Sequence, residues 1–367
     1  MRSLKQAISR ITTVAIIVII VVAGGLVAYY AVSTSPTSST VSTSSTSAVS
    51  TSPTSSTVST SSTSSSISNS SSLTTVTIGT SVGFSEVYYL PMIVAQEKGF
   101  WAENGLQVTW QKFNGGPAET QAFASGQLNI GLTGCGTIFD AVSRGIGMKN
   151  IGTYMNTTEF GLIVASNSTI KTLNELNGST LAVTSTTGIE YVYSQIIASK
   201  YNLKFNYVTT GALPNSLALL ESGKAQAIDF TIGSVAPQIQ SGVLRVIYND
   251  SSALPSPWAE FCIATTNSFI QSSPNVLKAV DAAFAQTIQY IVNNPSFAEQ
   301  VILNFTKSNS NVSELIYNQI LSSWNPSLSI DVNALTNVDN VYVQYGITPS
   351  NIAVNVNQTY TTAFVPK

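Results

Sequence analysis

The sequence predicts an α/β fold in which short strands alternate with helices, and Gly-rich turns follow several of the strands. Two stretches carry the prediction, residues 76–137 and residues 180–247. In each, short apolar runs are followed by turns and then by helical spacing. This alternation is typical of a mostly parallel sheet covered by helices. The loops at the carboxyl ends of such strands line a crevice where ligands bind.

The elements of the two stretches follow one another with short connections. In the first, the pattern predicts strand 76–78, helix 90–98, strand 107–110 and strand 129–132. In the second, it predicts strand 180–183, helix 189–199, strand 205–208, helix 217–221, strand 225–230 and strand 244–247. After Pro274, residues 276–293 have the period of an amphipathic helix, and further helices reach about residue 324.

Two Gly-rich turns in the first stretch are candidate binding loops. Asn114-Gly115-Gly116-Pro117 precedes a helix, because Pro117 suits a first helical turn, and Gly134-Cys135-Gly136-Thr137 follows the third strand. Both leave backbone N–H groups bare at a helix start, which suits a carboxylate, a sulfonate or a carbonyl oxygen. They could equally be tight turns without a ligand.

The N-terminus predicts a membrane anchor. Basic residues at 2, 5 and 10 precede an uncharged run, residues 11–32, long enough to cross a hydrocarbon core of roughly 30 Å. With the basic residues inside, all that follows is extracytoplasmic. A cleavable signal peptide is the alternative, although its apolar region is usually about 7–15 residues long. An archaeal type of signal processed before the apolar run would leave the anchor attached.

Residues 33–75 predict an unfolded stalk. The run STSPTSSTVSTSSTSAV at 33–49 recurs almost unchanged at 50–66, with nothing to bury, and its Ser, Thr and Pro content is typical of an O-glycosylated stalk. Further along the chain, Asn-x-Ser/Thr sequons begin at Asn156, Asn167, Asn177, Asn249, Asn304, Asn311 and Asn357. Together these features favour a glycosylated protein at the cell surface.

Composition excludes several functions. The chain has no histidine, which excludes Ser-His-Asp and Cys-His catalysis and His-containing zinc sites. Its net charge of -2 argues against a nucleic-acid partner. Four acids, Glu86, Glu190, Asp229 and Glu260, could converge for carboxylate-pair hydrolysis, but no motif pairs them. We therefore expect no enzyme, no cofactor and no metal.

Several motifs in the same order resemble a known family. YLPMIVAQEKGFWAENGLQV, FNGGPAETQAFASGQLNIG, KTLNELNGSTLAV and ALLESGKAQAIDF are similar to runs of the NMT1/THI5-like and SsuA/TauA-like solute-binding proteins, over roughly residues 76–304. The resemblance implies a monomeric, two-lobed periplasmic-binding-protein-like fold of type II that hands a solute to the permease of an ABC importer. With anchor and stalk, the chain resembles cell-surface binding proteins of archaea. Relatives that make a thiamin pyrimidine consume an active-site histidine, which this chain lacks.

The resemblance also implies how the chain divides. The first lobe would comprise residues 76–166 and 261–367, and the second lobe residues 167–260. Two crossing strands, at 161–165 and 261–264, would join them. Cys135 and Cys262 would both fall in the first lobe, where a disulfide is possible in an oxidising compartment. Its geometry cannot be read from sequence, and the alternative is a cleft-lining Cys135 and a buried Cys262.

The candidate ligand contacts are loop residues, each of which could instead be structural. Aromatic rings would give shape, bare N–H groups and hydroxyls would donate, and carboxylates would accept. The candidates are Ser81, Phe84, Glu86, Tyr88, Tyr89, Gly115, Gly116, Gly134, Cys135, Gly136, Thr137, Ser185, Thr186, Thr187, Asp229, Thr231, Trp258 and Glu260. No Lys or Arg falls in these loops, which favours a neutral or zwitterionic heterocycle, pyrimidine-like for example, or an amine-bearing sulfonate. A surface sensor or adhesion module with the same fold is the alternative function.

Overall fold

The computed structural model describes residues 72–81, 87–113, 115–186, 188–349, 351–352 and 354–367. The predicted anchor and residues 33–71 of the predicted stalk lie outside these ranges. Thr74 and Thr75, assigned to the stalk from the sequence, form the start of the first strand. Within the described ranges, no helix combines the length and the apolarity that crossing a bilayer requires.

Ten strands form two five-stranded sheets. The first sheet has the order β2-β1-β3-β10-β4 and contains β1 (Thr74–Thr80), β2 (Leu106–Lys112), β3 (Ile130–Gly134), β4 (Met148–Met155) and β10 (Phe261–Thr266). The second has the order β7-β6-β8-β5-β9 and contains β5 (Phe160–Ala165), β6 (Thr180–Val183), β7 (Asn206–Thr209), β8 (Ala227–Thr231) and β9 (Leu244–Asn249). We call the first sheet with its helices the first lobe, and the second sheet with its helices the second lobe.

Both sheets are mixed, as expected for two lobes joined by crossings. In the first, β10 runs antiparallel to β3 and β4, whereas β1 pairs parallel with β2 and β3. In the second, β5 runs antiparallel to β8 and β9, whereas β6 pairs parallel with β7 and β8. The sequence predicted the two-lobed α/β architecture correctly.

Twelve α-helices occur among the described residues. They are α1 (Leu90–Lys98), α2 (Phe100–Glu103), α3 (Gly116–Ala124), α4 (Cys135–Ser143), α5 (Ile189–Tyr201), α6 (Leu213–Glu221), α7 (Ala236–Gln240), α8 (Asn267–Ser272), α9 (Pro274–Asn293), α10 (Pro295–Thr306), α11 (Ser310–Ile320) and α12 (Val332–Gln344). The amphipathic helix predicted at 276–293 is α9. Its apolar face, including Leu277, Phe284 and Ile288, is buried, and it packs on α1 and β4 of the first lobe.

The first crossing between the lobes lies earlier than the sequence indicated. We expected residues 161–165 to be a crossing strand and the second lobe to begin at 167. Instead β5 pairs with β8 and β9 along its length, so it belongs to the second sheet. The chain passes between the sheets at residues 156–159, and it returns at residues 250–260, where the second crossing was expected.

Candidate functional site

Strand ends of both sheets meet where the two crossings lie. Phe261 of β10 is in register with Gly134 of β3 and with Met155 of β4, and Phe160 of β5 with Thr231 of β8. These ends, with the segments that follow them, form what we call the interlobe junction. It comprises residues 80–81, 87–88, 133–137, 155–160, 184–190 without 187, 231–234 and 250–261.

The lobes touch each other across this junction. A Cβ placed on Gly134 of the first lobe would lie 3.7 Å from Cδ1 of Ile189, the first residue of α5 in the second lobe. A Cβ on Gly233 of the second lobe would lie 3.4 Å from Cγ1 of Val87 in the first. Solute could therefore reach the interior of the junction only if the lobes moved apart.

Glu260, on the second crossing, connects residues of both lobes. Its backbone N–H donates to Met155 O at 2.9 Å, and its own carbonyl accepts from the N–H of Cys135 at 3.0 Å. Its side chain is 1% exposed, and Oε2 accepts from the hydroxyl of Tyr193 and, at 2.8 Å, from Nε1 of Trp258. Burial raises the pKa of Glu260 to about 7, and these two donors, with the hydroxyl of Thr158, oppose the shift.

Aromatic rings from both lobes surround this carboxyl. Tyr88 stacks on Phe261 with ring centroids 4.2 Å apart, and Tyr193 lies edge-on to Trp258 at 6.2 Å and to Phe160 at 5.5 Å. All five side chains are buried. Such rings can enclose a flat or apolar ligand and attract a cation through their faces.

A disulfide fixes the first-lobe side of the junction. Cys135, at the start of α4, is bonded to Cys262 of β10, with Cα atoms 5.3 Å apart. Cys135 also donates its backbone N–H to the carbonyl of Glu260, and Cys262 is the second residue after Glu260 in the chain. The structure thus selects the disulfide from the two alternatives that the sequence left open.

A carboxyl pair lies on the second-lobe side. Asp229 of β8 and Asp250, just after β9, are both fully buried, and their carboxyl groups hydrogen-bond to each other. Such a contact requires a proton on one partner. Burial raises the pKa of Asp250 to about 7, and nearby Glu260 adds to the rise. Burial, followed by the charge of Asp250, raises the pKa of Asp229 well above its usual range.

Glu119, in the first turn of α3, is a further buried acid, 1% exposed. The hydroxyl groups of Ser81, after β1, and Thr133, on β3, face its carboxyl. Burial raises the pKa of Glu119 to about 8, although these hydroxyls oppose the shift. At neutral pH the side chain is therefore mainly a neutral carboxylic acid, able to donate a hydrogen bond.

Several of the backbone donors expected to hold an anion already have partners. The N–H of Gly115 donates to Ser81 O at 3.0 Å, and that of Cys135 donates to Glu260 O. In the second lobe, Oε1 of Glu190 accepts from the N–H groups of Thr184 at 2.9 Å and Ser185 at 3.3 Å. These turns are closed by the chain itself.

All buried ionisable residues in the described ranges, apart from tyrosines, are acids. They are Glu119, Glu159, Glu190, Asp229, Asp250, Glu260 and Asp281. Every Lys and Arg of those ranges is at least partly exposed. Six of the acids lie in or beside the interlobe junction; Asp281 lies on α9, against Gly152 of β4. The electrostatic character of the junction is therefore acidic.

A family model described as NMT1/THI5 like matches residues 86–298, more than half of the chain. The chain belongs to the NMT1/THI5-like family. Among curated proteins, a putative aliphatic sulfonates-binding protein of Bacillus subtilis is 29% identical over 98 residues. That match covers 25% of this chain and 30% of the Bacillus protein, so the chain spans less than a third of that relative.

Solved structures match over most of the chain and share the fold of this NMT1/THI5-like protein. One is a Candida albicans protein with the generic periplasmic binding protein fold, at TM-score 0.66 and 15% identity, covering 80% of this chain and 98% of that chain. Another is the alkanesulfonate-binding protein SsuA of Xanthomonas axonopodis pv. citri bound to MOPS, at TM-score 0.66 and 14% identity, covering 78% and 98%. The second of these neighbours is named as a binding protein.

The NMT1/THI5-like chain brings most of the predicted contact residues to the interlobe junction. Those placed there are Ser81, Tyr88, Gly134, Cys135, Gly136, Thr137, Ser185, Thr186, Thr231, Trp258 and Glu260. Asp229 lies beside it, under Asp250. Gly115 and Gly116 lie beside it too, and a Cβ on Gly116 would lie 2.7 Å from Oγ1 of Thr137. Tyr89 is fully buried at the start of α1. Phe84, Glu86 and Thr187 lie outside the described residues.

Two expected donors are not open to a ligand. The N–H of Cys135 donates to Glu260 O, and Gly136 is covered by the ring of Tyr342 from α12. A side chain at Gly136 would meet the ring of Tyr342 before it met a ligand.

Sequence reasoning missed Glu119, Glu159, Tyr193, Asp250 and Tyr342. Glu119 resembles an ordinary acid of a first helical turn, which the helix dipole favours anywhere. Tyr193 and Tyr342 lie on helices predicted only as covering layers or not at all. Asp250 follows a sequon asparagine and resembles a turn residue. A usable signal was the absence of basic residues near all of these positions.

Proposed function

We propose that the protein is an extracytoplasmic solute-binding protein that captures a small organic solute between its two lobes and delivers it to the permease of an ABC importer. The observation that carries the proposal is the position of Glu260. It lies on a crossing, contacts both lobes through Cys135 and Tyr193, and is enclosed by aromatic rings. A bound solute there would contact both lobes at once and favour closure by hinge motion.

Supporting features come from chemistry and from the N-terminus. Both cysteines are used in the disulfide, and the chain has no histidine, so common nucleophile and base pairs are missing. Residues 11–32 would hold the protein in the membrane, residues 33–73 would act as a stalk, and the lobes would lie outside the cell. Binding without catalysis is the activity that this arrangement favours.

A thermal-shift screen of the full chain in detergent tests the proposal. A solute at 100 times its Kd adds about 2.7 kcal/mol to the free energy of unfolding. For lobes of this size, that raises the melting midpoint by roughly 5–10 °C. Uptake of any positive solute by cells with and without the gene then tests delivery. No shift with any solute class would contradict binding, and unchanged uptake would contradict import.

A further inference from the structure

Three backbone donors that could hold an anion at the interlobe junction are already used. The backbone N–H groups of Gly115, Cys135 and Ser185 all donate to oxygens of this chain. No Lys or Arg is buried in the described ranges, and their one ion pair, Arg144 with Asp140, lies at the end of α4. At these three N–H groups, an incoming sulfonate or nitrate would have to displace existing hydrogen bonds.

By contrast, several buried carboxyl oxygens of the junction are short of hydrogen-bond donors. Oε1 of Glu260 accepts no hydrogen bond of good geometry from the described residues, although the side chain is 1% exposed and the hydroxyl of Thr158 also faces this carboxyl. The oxygens of Asp229 and Asp250 likewise accept none except through their mutual contact. A buried acceptor without a donor is costly, so each of these groups favours a partner with N–H groups.

The rings around Glu260 would suit the same partner. Tyr88, Phe261, Tyr193 and Trp258 are buried beside the carboxyl. Aromatic faces attract cations, and the attraction grows when water is excluded. The carboxyl group and the aromatic rings would therefore both favour a cationic ligand.

We propose that the solute is a small organic cation carrying N–H donors, such as an amine, an amidine or a guanidine, whose charge lies against Glu260 and the Asp229–Asp250 pair. The inference rests on the proposed function and names its ligand class. The cation supplies donors to Oε1 of Glu260, and no basic residue of the described ranges is buried there to compete for these carboxyl groups. This differs from the sulfonates named for similar binding proteins.

Solutes matched in shape but not in charge provide the test. The full chain in detergent is titrated calorimetrically at pH 7.5 with benzamidine, benzamide and benzenesulfonate, and with agmatine and taurine as aliphatic probes. We expect at least a tenfold tighter Kd for the cations than for their neutral or anionic counterparts. Tighter binding of benzenesulfonate or taurine overturns the inference but supports a solute-binding function. If none of the probes binds, the result counts against both the cation inference and the proposed solute-binding function.

Variants distinguish the effect of the Glu260 carboxyl group on binding from the effect of pocket shape. Glu260→Gln keeps the size and should weaken cation binding by about 10- to 100-fold while leaving benzamide binding nearly unchanged. Glu221→Gln, an exposed acid on α6, is the matched control and should change neither. If Glu260→Gln does not fold, Asp250→Asn provides the same comparison. Equal losses for cation and neutral probe would indicate a structural role and overturn the assignment.

Proton release gives an independent readout. The groups facing Glu260 are Tyr193 of α5, Tyr154 of β4, Tyr342 of α12 and Asp250, and none is basic. With a pKa of about 7 for Glu260, cation affinity should rise about tenfold from pH 6 to pH 8. Calorimetry in buffers of different ionisation enthalpy should show a proton released at pH 6. Affinity that falls with pH would overturn the proposal.

Discussion

Gly136 lies directly beneath the ring of Tyr342, so that a Cβ on this glycine would overlap three ring carbons. The contact joins α4, whose first residue carries the disulfide, to α12 near the C-terminus of the chain. Tyr342 is also one of the groups that face Glu260. The last long helix thereby contacts the interlobe junction at this glycine.

The first prediction concerns this contact. Gly136→Ala should lower the free energy of unfolding by about 1–3 kcal/mol, because an added methyl group overpacks a buried contact. Gly134→Ala is the matched control, since its Cβ would meet nothing nearer than 3.7 Å. Urea unfolding of both variants measures the difference. Combining Gly136→Ala with Tyr342→Ala should show positive coupling in a double-mutant cycle, and strict additivity would contradict the contact.

The sequence predicted the elements with clear periodicity and missed those whose pattern is broken. Helix α1 and strand β6 have the predicted limits, 90–98 and 180–183. Strand β4 was missed because MKNIGTYM places Lys, Asn and Gly within an otherwise buried strand. The lobe boundary was misplaced because an apolar run such as β5 does not reveal its sheet, which depends on its pairing.

The site could be predicted only in part for a related reason. Asp229 on β8 and Glu260 just before β10 could be placed near the cleft, because the order of strands and loops along the chain predicts it. The burial of Glu119 and Asp250 depends on tertiary packing, and local sequence does not report it. The Cys135–Cys262 distance of 5.3 Å likewise depends on the pairing of β3 with β10, which are far apart in the chain.

The second prediction concerns the disulfide. Cys135 and Cys262 are 127 residues apart, and a loop of that length gives about 4–5 kcal/mol of stabilisation in the chain-entropy account. The double variant Cys135→Ala/Cys262→Ala should lose most of this amount in urea unfolding. Reductant should destabilise the wild-type protein similarly and leave the variant unchanged. A reductant effect on the variant would point to a cause other than this bond.

The third prediction concerns pH and Glu119. The folded-state pKa of about 8 lies above the 4.5 of an ordinary glutamate side chain, so the native state holds this proton more tightly than the unfolded chain does. The contribution of Glu119 to stability is therefore present at pH 4.5 and is lost as pH rises through 8. Glu119→Gln should gain about 2–4 kcal/mol relative to wild type between pH 5 and pH 8.5.

Urea unfolding at several pH values measures that difference, with the exposed Glu97→Gln on α1 as the control. The comparison with wild type at each pH cancels the contributions of other titrating groups. A difference that stays constant with pH would show that Glu119 titrates normally, in conflict with its burial.

The fourth prediction concerns lobe closure at Gly233. A Cβ here would lie 3.0 Å from Oε2 of Glu159 and 3.4 Å from Cγ1 of Val87, which belongs to the other lobe. Gly233→Ala should therefore oppose the closed arrangement by about 1–2 kcal/mol and weaken solute binding by roughly tenfold. The melting midpoint without solute measures the part of the effect that comes from Glu159, which hydrogen-bonds to Ile232 of the second lobe, and the change in affinity measures the part that comes from Val87. Ser241→Ala, on the exposed end of α7, is the control, and small-angle scattering with solute should show a larger radius of gyration only for Gly233→Ala. Wild-type affinity in Gly233→Ala would mean that binding does not require the lobes to meet at this contact.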